Sequence, residues 1–259
     1  MSSPPAIDHP AVVRSEADAF AAAVERGPLE APVAACPRWD LEGLTLHLGH
    51  IHRWARIAAA TGTNPDPDRV PGPPEPDAQG LRDRAVLADW LRQGADALAD
   101  TLGSLDPDAP TWHPFPVPQV AGLWPRRQAQ ETLVHRWDAQ HAVGATTPID
   151  ATLAADGIDE YYTVMLPRFL QRGKVLLPQG ALHLECVDTG DAWTASSSAD
   201  GELFVTGGVG EPTGADAHGI VSGTAQDLLL TLWARSDGAE LELDGDLDVA
   251  RAWLAVGAA

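Results

Sequence analysis

Lysine is almost missing from this chain: Lys174 is the only one, and all 17 basic residues face 37 Asp and Glu, for a formal net charge of −20 over 259 residues. A surface this acidic repels phosphate backbones, and no basic patch offsets it, the densest cation pair being Arg126-Arg127. Nucleic acid is therefore excluded as an expected partner. Cysteine is scarce too. Cys36 and Cys186 are too few for a disulfide framework and fit a reducing, cytoplasmic compartment. Long apolar runs are lacking: nothing approaches the ~18 residues that a membrane span needs. The opening residues lack the charged start and apolar stretch of a signal peptide, so a cytoplasmic protein with no membrane partner is expected.

What remains is ordinary globular material, 44% hydrophobic and 21% charged, and a length that suits one large or two modest domains. The first part reads helical. Val12, Val13, Ala17, Phe20, Ala21 and Val24 fall at helical spacing over 11–26, which Gly27-Pro28 ends. Asp40 suits the N-cap of a helix over 41–61, closed by Gly62. Residues 63–80 hold six prolines and no apolar period. They form a loop, either a lid over the bundle mouth or a plain connection. A third helix spans 81–102. Pro125 sits in the first turn of a fourth that runs to about 143, and Asp150 caps a fifth to about 170.

The texture changes near Gly173. Segments 182–188, 192–198, 202–208 and 218–224 have strand composition, 225–236 is helical, 240–246 is a strand into a turn, and 247–256 is a closing helix. The expected fold class is α+β in two domains: an up-down helical bundle over 1–172, then a small α+β domain over 173–259.

The chemistry concentrates in two helices. The second carries His47, His50 and His52; the fourth carries Glu131, His135, Asp138 and His141. Glu131 and His135 are i and i+4, hence neighbours on one face, and Asp138 joins it. Two ligands on one helix and a third from a facing helix build a metal site in a bundle. A two-His, one-Glu set leaves a fourth position open on tetrahedral zinc, the arrangement of a catalytic ion. Asp138 would orient a ligand imidazole through its other nitrogen. Periodicity does not choose among the three histidines: His47 and His52 flank the apolar stripe and His50 lies nearer solvent. A solvated polar face is the plainer reading of the same spacing.

The stretches 39–55, 124–144 and 149–168 resemble the mycothiol-dependent maleylpyruvate isomerase family, whose N-terminal part belongs to the DinB-like metal-binding bundles. Segments around 182–193, 223–236 and 241–246 resemble that family's smaller, sterol-carrier-like domain. The resemblance implies a divalent metal, usually zinc, held by His47, Glu131 and His135. It implies mycothiol as the thiol cofactor, a small-molecule substrate, and an arginine of the C-terminal domain in catalysis, for which Arg235 is the candidate. Gln130 and His141 depart from the family's pattern, which bears on the substrate more than on the metal. A monomer is the default. The implied chemistry is thiol-dependent isomerisation or S-transfer on an electrophile. The rivals are metal-assisted hydrolysis with bound water, and a non-catalytic metal or small-ligand binding module.

Overall fold

A computed structural model describes residues 7–211 and 216–258. The opening residues, on which the signal-peptide reading rests, are mostly outside that range. The chain divides into two compact units, one made of Asp8–Pro114 and Pro118–Thr147, the other chiefly of Pro148–Ala259.

The first unit is a four-helix bundle: α1 (His9–Arg26), α2 (Leu41–Thr61), α3 (Arg84–Gly103) and α4 (Leu123–Ala142). Part of the acidic excess has a local use. Asp8, Asp40 and Asp83 cap the first three helices with their side-chain oxygens, each satisfying an amide that the helix leaves orphaned. Gly62 closes α2 in the left-handed region at φ 66°, where a side chain would strain the backbone. The core is built from Phe20, Val24, Leu41, Leu44, Leu48, Leu87 and Leu91 toward one end, and from Val13, Ala55, Leu98, Leu102 and Trp124 toward the other.

Helix direction departs from strict alternation. Arg53, in the fourth turn of α2, donates to the carbonyls of Gly49 and Trp90, and its guanidinium lies 4.1 Å from the centre of the Trp90 ring. A Cβ at Gly49 would overlap Trp90, and one at Gly94 would meet Arg53. Positions 49 and 53 thus pair with 90 and 94, so α2 and α3 run the same way. Arg92 pairs with Glu25 near the end of α1, while Arg14 near its start pairs with Asp96 further along α3, which sets α1 antiparallel to α3. The bundle is up, down, down, up, not the up-down alternation expected. The 62–83 segment follows as a consequence. It must return the chain along the full length of the bundle, about 30 Å for a 20-residue helix, and its many prolines stiffen that crossover. Arg82 ties its end to the first turn of α2 through Glu42, at 2.6 Å.

The second unit carries a five-stranded sheet in the order β3-β2-β1-β4-β5, with β1 Ala181–Cys186, β2 Ala192–Ser197, β3 Leu203–Gly208, β4 Gly219–Gly223 and β5 Glu242–Gly245. Among the described strands only the β1–β4 pair is parallel. Leu182, Leu184, Trp193, Ala195 and Val221 share one buried face through this register. Leu228, Leu229 and Leu232 of α7 (Ala225–Leu232) and Ala250 and Trp253 of α8 (Leu247–Leu254) are buried with them. The helix expected over 151–170 is present as α5 (Ala151–Glu160), one π-helical turn (Tyr161–Met165) and α6 (Leu166–Gln171). It belongs to this second unit. The units therefore part between Thr147 and Pro148, where the sequence suggested a change near 172. The reason is local pairing: α5 packs on α7, and the Ile149 amide donates to Gln226 at 2.7 Å. Helical periodicity shows that a face is apolar but not which partner covers it.

Candidate metal centre

The antiparallel pairing of α2 with α4 sets the site. His47 lies in the second turn of α2, and Glu131 and His135 face it from consecutive turns of α4. One ligand atom from each of the three lies within 4.8 Å of the others. Glu131 Oε1 is 3.5 Å from His47 Nε2 and 3.4 Å from His135 Nε2. Those gaps are wide for hydrogen bonds, which cluster near 2.9 Å. They match the ~3.3 Å edge of a tetrahedron whose bonds are about 2.05 Å, the zinc–nitrogen and zinc–oxygen distance. The donor set thus fits a small divalent cation.

Each donor is held by a neighbour. His135 Nδ1 lies 3.0 Å from Asp138 Oδ2, and the Asp138 side chain is almost wholly buried. With that carboxylate accepting the Nδ1 proton, the Nε2 lone pair is left to face Glu131 and His47. Arg127, one turn before Glu131, donates from Nη2 to Glu131 Oε2 at 3.0 Å. Trp39, in the turn before α2, stacks on His47 with ring centres 4.5 Å apart and planes 28° from parallel, and stands edge-on to His135 at 6.4 Å. That turn is fixed by Trp39 N donating to Cys36 O and by Val33 N donating to Trp39 O.

Electrostatics follow the geometry. Burial alone would raise the Glu131 pKa, but the imidazoles of His135 and His47 close to its Oε1 and the charge of Arg127 hold it well below the usual carboxylate range. Burial alone would lower that of His135, yet Asp138 and Glu131 outweigh it and raise it to about 9.

The other candidates separate. His52 is fully buried, its Nε2 3.0 Å from Thr132 Oγ1, and burial pushes its pKa down to about 3. Thr132 already donates to Gln128 O, so His52 Nε2 is the donor, and its Nδ1 has no hydrogen-bond partner. His50 is exposed and turned away from the stripe, and His141 is exposed in the last turn of α4. Gln130 is buried within α4. Arg235 lies in the second unit just past α7, its Nη1 donating to Trp233 O at 2.7 Å. His113, at a loop position where histidines are commonly solvated, is instead buried. Its Nε2 is 2.9 Å from Pro118 O and its Nδ1 accepts from Gln119. Sequence reasoning missed Arg127 and Trp39. The i, i+4 spacing of Arg127 to Glu131 was a usable signal, whereas nothing in the sequence placed Trp39 over His47.

A helical bundle that brings two histidines and a glutamate together where they could hold a cation, on a chain that also carries an α+β sheet unit, defines the class. The family model described as the mycothiol maleylpyruvate isomerase N-terminal domain matches residues 11–140. The chain belongs to that family. Two solved structures are similar in fold. A crystal structure of the mycothiol-dependent maleylpyruvate isomerase has a TM-score of 0.59 at 12% identity, covering 94% of this chain and 96% of that one. A mutant of that isomerase gives 0.60 at 11% with the same coverage. No curated protein matches. No helix among the described residues is long and apolar enough to cross a membrane.

Proposed function

We propose that this chain is a divalent-metal enzyme, with zinc as the expected ion, that activates a low-molecular-weight thiol, mycothiol, for isomerisation or S-transfer on a small electrophile. The observation that carries it is the convergence of one atom each from His47, Glu131 and His135 within 4.8 Å, with both imidazoles at tetrahedral-edge distance from Glu131 Oε1 and with His47 and Glu131 still partly open to solvent. Family membership supplies the thiol and the reaction class. A dication held there would favour thiolate over thiol at neutral pH.

The protein's own groups prepare that state. Asp138 keeps the Nε2 lone pair of His135 aimed at the cluster, Trp39 fixes the plane of His47, and Arg127 holds the glutamate charged. In the isomerisation arm the thiolate sulfur adds to one carbon of a cis double bond conjugated to a carbonyl. The electron pair moves onto the carbonyl, rotation follows about the new single bond, and expulsion of the thiolate restores the double bond as trans. The thiol is not consumed. In the transfer arm the sulfur–carbon bond is retained and the substrate's leaving group departs. Arg235 is assigned to hold a substrate carboxylate, which suits its planar fork of donors. The reading carries with it a cytoplasmic setting, where reduced thiols are maintained.

The test starts with elemental analysis of tag-free protein purified without chelator, beside His47→Ala, Glu131→Ala and His135→Ala. One metal ion per wild-type chain, lost in all three variants, is the expected result. Turnover of electrophilic acids should then require added thiol. Wild-type protein that neither holds nor takes up zinc would overturn the reading, and full activity without thiol would convert it to a hydrolase.

A further inference from the structure

The two oxygens of Glu131 have different neighbours. Oε1 faces the imidazoles of His47 and His135, at 3.5 and 3.4 Å, while Oε2 accepts from Arg127 Nη2 at 3.0 Å. Arg127 is buried, with 3% of its side chain exposed, and lies on the same helix one turn earlier, so its reach to Oε2 is set by α4 itself. A carboxylate that chelates a cation through both oxygens must bring both to bonding distance. Here that motion would pull Oε2 away from a buried guanidinium and strip it of a charge-assisted hydrogen bond.

Charge sharpens the point. A permanent cation one turn from a cation site repels every dication equally, so electrostatic attraction does not account for Arg127 being there. What it can do is discriminate. Zinc and cobalt(II) accept four ligands with single-oxygen carboxylates. Manganese, calcium and magnesium favour more oxygen donors, and calcium takes carboxylates through both oxygens.

Resting on the metal reading above, we propose that Arg127 is a positioning residue that holds Glu131 to donation through one oxygen and thereby selects small four-coordinate cations over larger oxygen-seeking ones. The same constraint leaves the fourth position for an incoming sulfur and not for a second carboxylate oxygen.

The experiment loads metal-free protein with cobalt(II) and reads its visible absorption, then measures zinc and manganese affinities by competition with a chromophoric chelator. Wild type should give the intense, low-energy bands of four-coordinate cobalt. Arg127→Met should give weaker bands at higher energy, bind manganese more tightly, and lower the zinc-to-manganese affinity ratio by about tenfold. Arg127→Lys, which keeps a charged donor, should stay near wild type. Arg127→Gln serves in place of the Met variant if that one does not fold. Six-coordinate bands in wild type overturn the inference, as does an unchanged spectrum and ratio in the Met or Gln variant. In both cases cobalt binding would still uphold the metal site. Failure of wild type to bind cobalt or zinc overturns the metal reading and this inference with it.

Discussion

Trp39 lies flat against His47, ring centres 4.5 Å apart, and reaches His135 with its edge. One indole therefore restrains both imidazoles, although it belongs to neither helix turn that carries them. Aromatic pairing of this kind contributes about 0.5–1.5 kcal/mol. Trp39→Ala should weaken zinc binding about three- to tenfold, as that energy converts. Trp39→Phe should restore most of it. Chelator competition reads the difference, and equal affinity in all three proteins would show that the stack is incidental.

Asp138 should matter more. Its carboxylate is almost wholly buried and fixes the tautomer of His135. Asp138→Ala should lower metal affinity by about 10- to 100-fold, the usual cost of removing such a support. Asp138→Asn, which keeps an acceptor oxygen, should lose less. An Ala variant that binds zinc like wild type would remove Asp138 from the site.

His52 makes an acid-stability prediction. Burial holds it neutral down to about 3, against 6.5 for the free side chain. Between those values the unfolded chain binds a proton that the folded one refuses, so stability rises with pH through this window and is complete above 6.5. The slope is about 1.4 kcal/mol per pH unit. Urea midpoints of metal-free protein at pH 7 and pH 5 should show wild type losing about 2 kcal/mol more than His52→Gln. Parallel losses would mean that His52 is solvated in the folded state.

Gly49 sets two effects against each other. Alanine is favoured over glycine inside a helix by about 1 kcal/mol. At this position the added methyl would run into the Trp90 ring that stacks on Arg53. Overpacking costs about 1–3 kcal/mol, and the methyl must also displace a ring that Arg53 holds in place. The clash wins, and Gly49→Ala should lower the thermal midpoint. A rise in midpoint would show that α2 and α3 can move apart without cost.

Much of this architecture is legible in the residues because the signals are local. The Asp40 cap and Gly62 stop bound α2 at 41 and 61 as read from the chain, and the strand segments are found within a residue or two. The apolar stripe of α2 correctly leaves His50 outside. The pairing of Glu131 with His135 needs only the pitch of a helix. Choosing His47 over His52 needs the facing helix, because both flank the stripe. The fold sets His47 beside Glu131 and His135 and places His52 against Thr132. The same limit hides the shared direction of α2 and α3, set by close contact at Gly49 and Gly94. It also hides the allegiance of α5, whose apolar face packs on α7.

The long crossover at 62–83 divides the donor set. His47 precedes it, while Glu131 and His135 follow it. A cleavage within that segment would leave two polypeptides, neither of which holds a complete site. The folding contribution of a bound cation would then become an association energy between fragments. The connection now supplies, at no cost in contacts, the high local concentration that free pieces would lack. In the cut protein the ion becomes a clasp. Its removal by chelator would loosen pieces that the shared apolar core also joins, so a bound cation's contribution to holding α2 against α4 could be read as the change in their dissociation constant.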